Sequence, residues 1–254
     1  MTNPNAWYGC RRDTKDARDH MFLPRAMRLP PAVDLRPQCP PVMDQGELGS
    51  CTAHGITGAL RYEMRVRGAD DVPLSRLQLY YDERAREGTV NSDAGAEIRD
   101  GIKCAAKIGV AREKLWAYRI GKFRSKPSKP VYADAVHFRA LAYQRVEVHA
   151  SALKQAIAMG HTPVIGVTLY ESFESDSVAR SGMVPMPHKN EAPVGGHCMY
   201  VVGYGQRKGT FTVRNSWGRD WGDKGDSYFP EAYLGSPLLG SDYWIITSEG
   251  AGKA

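Results

Sequence analysis

The sequence has few cysteines, no long apolar run and no repeat. Five cysteines, at 10, 39, 51, 104 and 198, are scattered through 254 residues. That is too sparse for a disulfide scaffold, and no C-x-x-C pair marks a zinc site. Apart from Cys51, the remaining four leave room for no bridge or for as many as two, and the spacing does not choose. No apolar stretch approaches the roughly 18 residues of a membrane span. The opening MTNPNAWYGCRRDTKDARDH lacks the apolar core of a signal peptide. The expectation is a chain with no membrane partner, cytoplasmic or exported by a non-classical route, in a redox compartment that the cysteines leave open.

What is present is ordinary globular material, 42% hydrophobic and 24% charged, enough for one large domain or two half-size lobes. The net charge of +6 gathers at RIGKFRSKPSKPVY, where Arg119, Lys122, Arg124, Lys126 and Lys129 occur without an acid. Pro127, Pro130 and the absence of a helical period make this a solvated connecting loop, with no nucleic-acid partner implied.

Three zones differ in texture. Residues 1–30 are polar and mixed in charge and read as an extended arm. Residues from about 31 to 130 read as a helical lobe. After Ser50, a good N-cap, Ala53, Ile56, Thr57, Leu60 and Met64 recur at helical spacing until Gly68. Ser75 likewise precedes LQLYYDERAR, and AEIRDGIKCAAKIG repeats the rhythm. From about 131 to 247, after the short helix SALKQAIAMG, the runs PVIGVTL, CMYVVGYG, TFTVRNS, SYF and YWIIT read as strands. Residues 248–254 form a tail. The expected class is α+β, with a cleft between a helical and a strand-rich lobe.

Cys51 lies at the first turn of its helix, where the positive end of the helix dipole favours thiolate over thiol. His197, in VGGHCMYVVGYG, starts a strand after two glycines and is the best-placed base. His54, three residues after Cys51, is held by its own helix away from a geometry suited to proton exchange. Asn215, in RNSWGRDWG, offers an amide oxygen to fix the imidazole tautomer. Gln45 supplies a side-chain N–H, and the Cys51 backbone a second one, to an oxyanion. Trp217 shields the histidine–asparagine bond or packs as core.

These segments together resemble the papain (C1) family of cysteine peptidases, in its prokaryotic branch. PPAVDLR resembles the start of a mature enzyme, QGELGSC the oxyanion glutamine and nucleophile, GGHCMYVVGYG the histidine strand, and NSWGRDWGDKG the asparagine with its tryptophan cover. The resemblance implies two lobes, a helical left one carrying Cys51 and a β-barrel-like right one carrying His197 and Asn215. It also implies an extended polypeptide substrate across the cleft, a protein inhibitor as a second class of partner, a monomer, and neither cofactor nor metal. Gly95, Ala96, Gly195, Gly196, Trp217 and Ile245 are the expected substrate-binding residues, with Cys198 beside them and Glu97 near the mouth. Cys51 and His197 are expected to rest as a thiolate–imidazolium pair. Three departures stand out: Thr52 where the family usually has an aromatic residue, Leu48 where it usually has a cysteine, and SDAGAEIR where it has paired glycines. The arm is too short for the family's usual helical propeptide; it would either lie in or beside the cleft and partly block it, with Trp7, Tyr8 and Phe22 as apolar anchors, or pack on the back of a lobe and only add stability.

Overall fold

A computed structural model describes residues 8–23 and 27–248, the last by its backbone alone. Trp7 and the segment after Ser248 lie outside the described residues. The strands are β1 (Cys10–Arg11), β2 (Val33–Asp34), β3 (Ala96–Glu97), β4 (Ala140–Val146), β5 (Val164–Tyr170), β6 (Pro193–Tyr204), β7 (Thr210–Arg214), β8 (Asp226–Pro230) and β9 (Gly240–Ser248). The helices are α1 (Cys51–Val66), α2 (Arg76–Glu87), α3 (Ile98–Lys107), α4 (Lys129–Ala135), α5 (Ala150–Ala158), α6 (Asp176–Ser181) and α7 (Glu231–Leu234). None of the described helices is long and apolar enough to cross a membrane.

Local chemistry accounts for most boundaries. Ser75 Oγ accepts the Gln78 N–H at 3.1 Å and Gly88 closes α2 in the left-handed conformation; such a cap contributes about 1 kcal/mol. Ser50 precedes α1 as expected, but its hydroxyl makes no cap hydrogen bond and instead meets Tyr118 Oη at 2.7 Å. Helix α1 is buried from Cys51 through Thr57 and from Ala59 to Met64, which makes it the central helix between the other helices and the sheet. The third helix starts at Ile98, later than its sequence pattern, because Ala96 and Glu97 are drawn into pairing with β1. The basic stretch ends in α4, with proline in its first turn, where no helix was expected.

The strand-rich lobe is an open sheet in the order β4-β9-β5-β6-β7-β8, with β2 added to β6. All its pairings are antiparallel. The barrel-like lobe implied by the resemblance is therefore not a closed barrel among the described residues, because β4 and β8 end the sheet without pairing to each other. Strand β4, whose exposure does not alternate along its length, carries no period-two signal in the sequence. In the sheet His197 stands opposite Val167, which in turn stands opposite Gly240. This places the histidine where β6 faces the start of α1.

Candidate active site

Cys51, His197 and Gln45 are wholly buried, and Asn215 nearly so. Cys51 is the first residue of α1, so its N–H is among the four at a helix start without an intrahelical acceptor. His197 Nε2 lies 2.8 Å from Asn215 Oδ1. The Ser216 N–H donates to that same oxygen at 2.8 Å, which fixes the amide as acceptor toward the ring. Nε2 therefore carries the proton and Nδ1 holds a lone pair. Nδ1 is buried without a hydrogen-bond partner among the described residues, the condition of a base awaiting a proton. The Trp217 ring lies 5.2 Å from the imidazole, tilted by 37°.

Gln45 is locked in place. Its carbonyl accepts from the Ser216 hydroxyl at 2.6 Å and its amide donates to the Leu48 carbonyl at 2.9 Å. Ser216 thus holds both Gln45 and Asn215, a role that its place beside Asn215 was the only sequence signal for. His54 is engaged elsewhere: Nδ1 meets the Ser50 carbonyl at 2.9 Å and Nε2 meets Arg76. Burial and the arginine pull it down to about 3.

The arm runs through this site. Tyr8 stands edge-on to His197 at 5.9 Å and faces Trp217 at 6.1 Å, and its hydroxyl donates to Glu174. The Gly9 carbonyl accepts the Ala96 N–H at 2.8 Å, and β1 pairs in parallel with β3. Burial raises the Cys51 thiol, opposed in part by the backbone N–H groups of Gly9 and Cys198. A Cβ on Gly9 would collide with the Gly49 carbonyl, one on Gly95 with the Gly9 carbonyl, one on Gly195 with Tyr8, and one on Gly196 with the Cys10 carbonyl. Gly95, Ala96, Gly195, Gly196 and Trp217 therefore converge on one extended segment, residues 8–11. Ile245 does not join them. It lies opposite Gln144 in β9, four residues along the strand from Ser241, which is level with Cys198 through Gly166, a separation of roughly 13 Å. The cleft end of that strand is Ser241 and Asp242, and Asp242 accepts the Asp13 N–H at 3.0 Å. Glu97 accepts the Thr14 N–H at 3.0 Å.

Under the arm the environment disfavours the ion pair expected of Cys51 and His197. Burial pushes the Cys51 thiol well up, and burial also lowers His197 to about 4 against the pull of its bond to Asn215. With water excluded by Tyr8 and Gly9, both groups are neutral at pH 7.

Residues 29–231 match the model of the papain family cysteine proteases. The chain belongs to that family. It is 38% identical over 219 residues to a peptidase C1-like protein of Acanthamoeba polyphaga mimivirus, covering 83% of this chain and 70% of that one. To cathepsin K of Gallus gallus it is 30% identical over 204 residues, covering 78% of this chain but 58% of the relative's length. Among solved structures, xylellain, a cysteine protease from Xylella fastidiosa, superposes with a TM-score of 0.89 at 35% identity, over 96% of this chain and 97% of that one. By family and fold this is a papain-like cysteine peptidase. Its departures have local explanations. Thr52 donates to the buried Glu83, Leu48 packs in the core, and all five cysteines are free.

Proposed function

We propose that this papain-family chain cleaves peptide bonds with Cys51 as nucleophile, His197 as acid and base, Asn215 as the group that orients His197, and Gln45 with the Cys51 N–H as oxyanion donors. The observation that carries this reading is the 2.8 Å bond from His197 Nε2 to Asn215 with Nδ1 left unpartnered. Once water replaces the arm, His197 Nδ1 takes the Cys51 proton, and the helix N-terminus favours the thiolate that results. The sulfur attacks a peptide carbonyl, the oxyanion is held by the two donors, and His197 protonates the leaving amine. Water deprotonated by His197 then cleaves the thioester. An extended substrate, the partner class that this reading takes, would lie along Gly95–Ala96 and Gly195–Gly196 under Trp217.

The same reading makes residues 8–11 an occluding segment, since they fill the surface assigned to substrate. The test is the rate at which iodoacetamide labels Cys51, mapped by mass spectrometry. Labelling faster than at Cys39 and Cys104 and lost in His197→Ala supports the roles; equal labelling of all three would overturn them. Cys51→Ala should abolish hydrolysis, and Gln45→Ala should lower turnover by about 10²–10³ with little change in substrate binding. Asn215→Ala should cost less than His197→Ala, because it positions the ring and transfers no proton.

A further inference from the structure

Asp93 stands between the loop that leads to the nucleophile and the segment against which substrate would lie. The Gly49 N–H, two residues before Cys51, donates to both of its carboxylate oxygens, at 3.0 Å to Oδ2 and 3.2 Å to Oδ1. The Tyr80 hydroxyl donates to Oδ1 and accepts the Gly95 N–H at 3.2 Å. The carboxylate is thereby tied to Gly49 on one side and, through the wholly buried Tyr80, to Gly95 on the other. A Cβ on Gly49 would stand 3.1 Å from Oδ1, so the glycine leaves the space that the carboxylate fills. Asp93 is nevertheless exposed, even with residues 8–11 in place. Among the described residues no cationic side chain forms an ion pair with it. Arg84, whose charge acts on it, is engaged by the carbonyls of Tyr80, Val90, Ser92 and Phe123.

We propose that Asp93 selects a lysine or arginine at the substrate residue whose carbonyl Cys51 attacks, so that the peptidase cuts after basic residues. This rests on the reading of the cleft as a peptidase site. His197 protonates the leaving amine, so the acyl part of the substrate lies on the other side of Cys51, along Gly95 and Ala96. The residue that supplies the attacked carbonyl then falls between Cys51 and Gly95, the interval that Asp93 spans. Two residues of chain, from Gly49 to Cys51, extend at most roughly 7 Å, within the reach of a long basic side chain. A carboxylate offers about four acceptor positions. Oδ1 receives Gly49 and Tyr80 while Oδ2 receives Gly49 alone, which leaves Oδ2 open to a charge-assisted hydrogen bond from a cation. The arm sets Gly9 against the Gly49 carbonyl. With no side chain there, it closes the site without engaging the carboxylate.

The full chain and its Asp93→Asn variant are compared on peptides that differ only in the residue before the cut: arginine, the neutral straight-chain norleucine, or glutamate. The readout is the ratio of kcat/KM between peptides, in which the open fraction of the arm and the amount of active enzyme cancel. In the wild type arginine should exceed norleucine about fivefold to tenfold, with glutamate the poorest. In Asp93→Asn, whose amide oxygen still accepts from Gly49 and Tyr80, arginine and norleucine should agree within about twofold. The wild-type advantage should also shrink severalfold between low salt and about 0.5 M salt, as screening of an exposed charge requires. Equal rates on arginine and norleucine in the wild type, or an arginine preference that Asp93→Asn or salt leaves intact, overturns the proposal. Binding separates the two readings. In Gly9→Val, acetylated tripeptide amides ending in arginine or norleucine are compared as protectants of Cys51 against iodoacetamide. Stronger protection by arginine without hydrolysis of any peptide keeps the site and refutes the peptidase; equal protection, with equal hydrolysis, refutes the site alone.

Discussion

The two ends of the arm are held by different forces. Residues 8–11 meet the cleft through backbone groups and shape: the Gly9 carbonyl on the Ala96 N–H, glycine against glycine at positions 9 and 95, and one aromatic ring on His197 and Trp217. Residues 13–22 are held by buried charge. Asp13 accepts from the Arg99 N–H at 3.0 Å, from Trp244 Nε1 at 2.9 Å and from Arg145 Nη2 at 2.9 Å. Asp19 binds Arg145 and Arg99 at 3.1 and 3.2 Å, Arg145 reaches on to Asp242 at 3.0 Å, and the Phe22 N–H sits on the Arg145 carbonyl at 2.8 Å. Buried ion pairs lose more when one partner is removed than backbone contacts lose when shape changes. The contrast assigns the holding energy to residues 13–22 and the occlusion to residues 8–11. It also explains why Phe22, expected as a cleft anchor, is buried beside β4 instead, while Tyr8 is the anchor that enters the site.

The largest effect should come from Arg145→Ala, which leaves Asp13, Asp19 and Asp242 without a shared cation. Removing one partner from such a buried network costs about 3–5 kcal/mol. Cys51 labelling is expected to rise by two orders of magnitude or more, with new tryptic cleavage after Arg11 and Arg12. Wild-type labelling and protection in this variant would show that the charged end does not hold the arm.

Gly9→Val should come next, because its side chain has no room beside the Gly49 carbonyl. Overpacking of this kind costs about 1–3 kcal/mol, so labelling should accelerate about tenfold or more. Trypsin resistance beyond residue 12 should persist, since the charged anchor is intact. Removing the whole arm tests less cleanly, because Asp13 and Phe22 are buried against the body. Tyr8→Ala deletes two ring contacts and a bond to Glu174, about 1 kcal/mol. It should raise labelling severalfold and lower the apparent KM for peptide substrates; no change in either would leave Tyr8 a bystander.

The smallest effect is in pH, where the two ends have opposite signs. The docked arm lowers His197 to about 4, so protonation favours release as pH falls below the ordinary value of about 6.5. Burial and the neighbouring Asp242 raise Asp13 to about 6, above its ordinary value of about 3.9, so protonation there favours docking as pH falls through 6. In His197→Gln only the second remains. Arm protection against trypsin, normalised to a reference peptide, should then increase between pH 7 and 5 more than in the wild type. Parallel curves would exclude the imidazole from the linkage.

The sequence by itself carried Gln45, Cys51, His197 and Asn215, because each sits in a local motif whose chemistry depends on near neighbours: a helix start, a strand after two glycines, an asparagine beside tryptophan. It carried α1, α2, α5 and most strands of the sheet for the same reason, since caps and periodicity are properties of short windows. Strand β4 has no alternation to read, and β1 and β3 exist only because they pair with each other across 86 residues. Ile245 lies away from the cleft because a motif does not fix strand register, and a shift of a few residues along β9 moves a side chain out of the cleft. Only the tertiary structure set Gly9 against Gly95, Tyr8 against His197 and Asp13 among three donors. Those contacts join residues up to 231 apart, and they rest on backbone approach and desolvated charge, which leave no periodic trace in the chain.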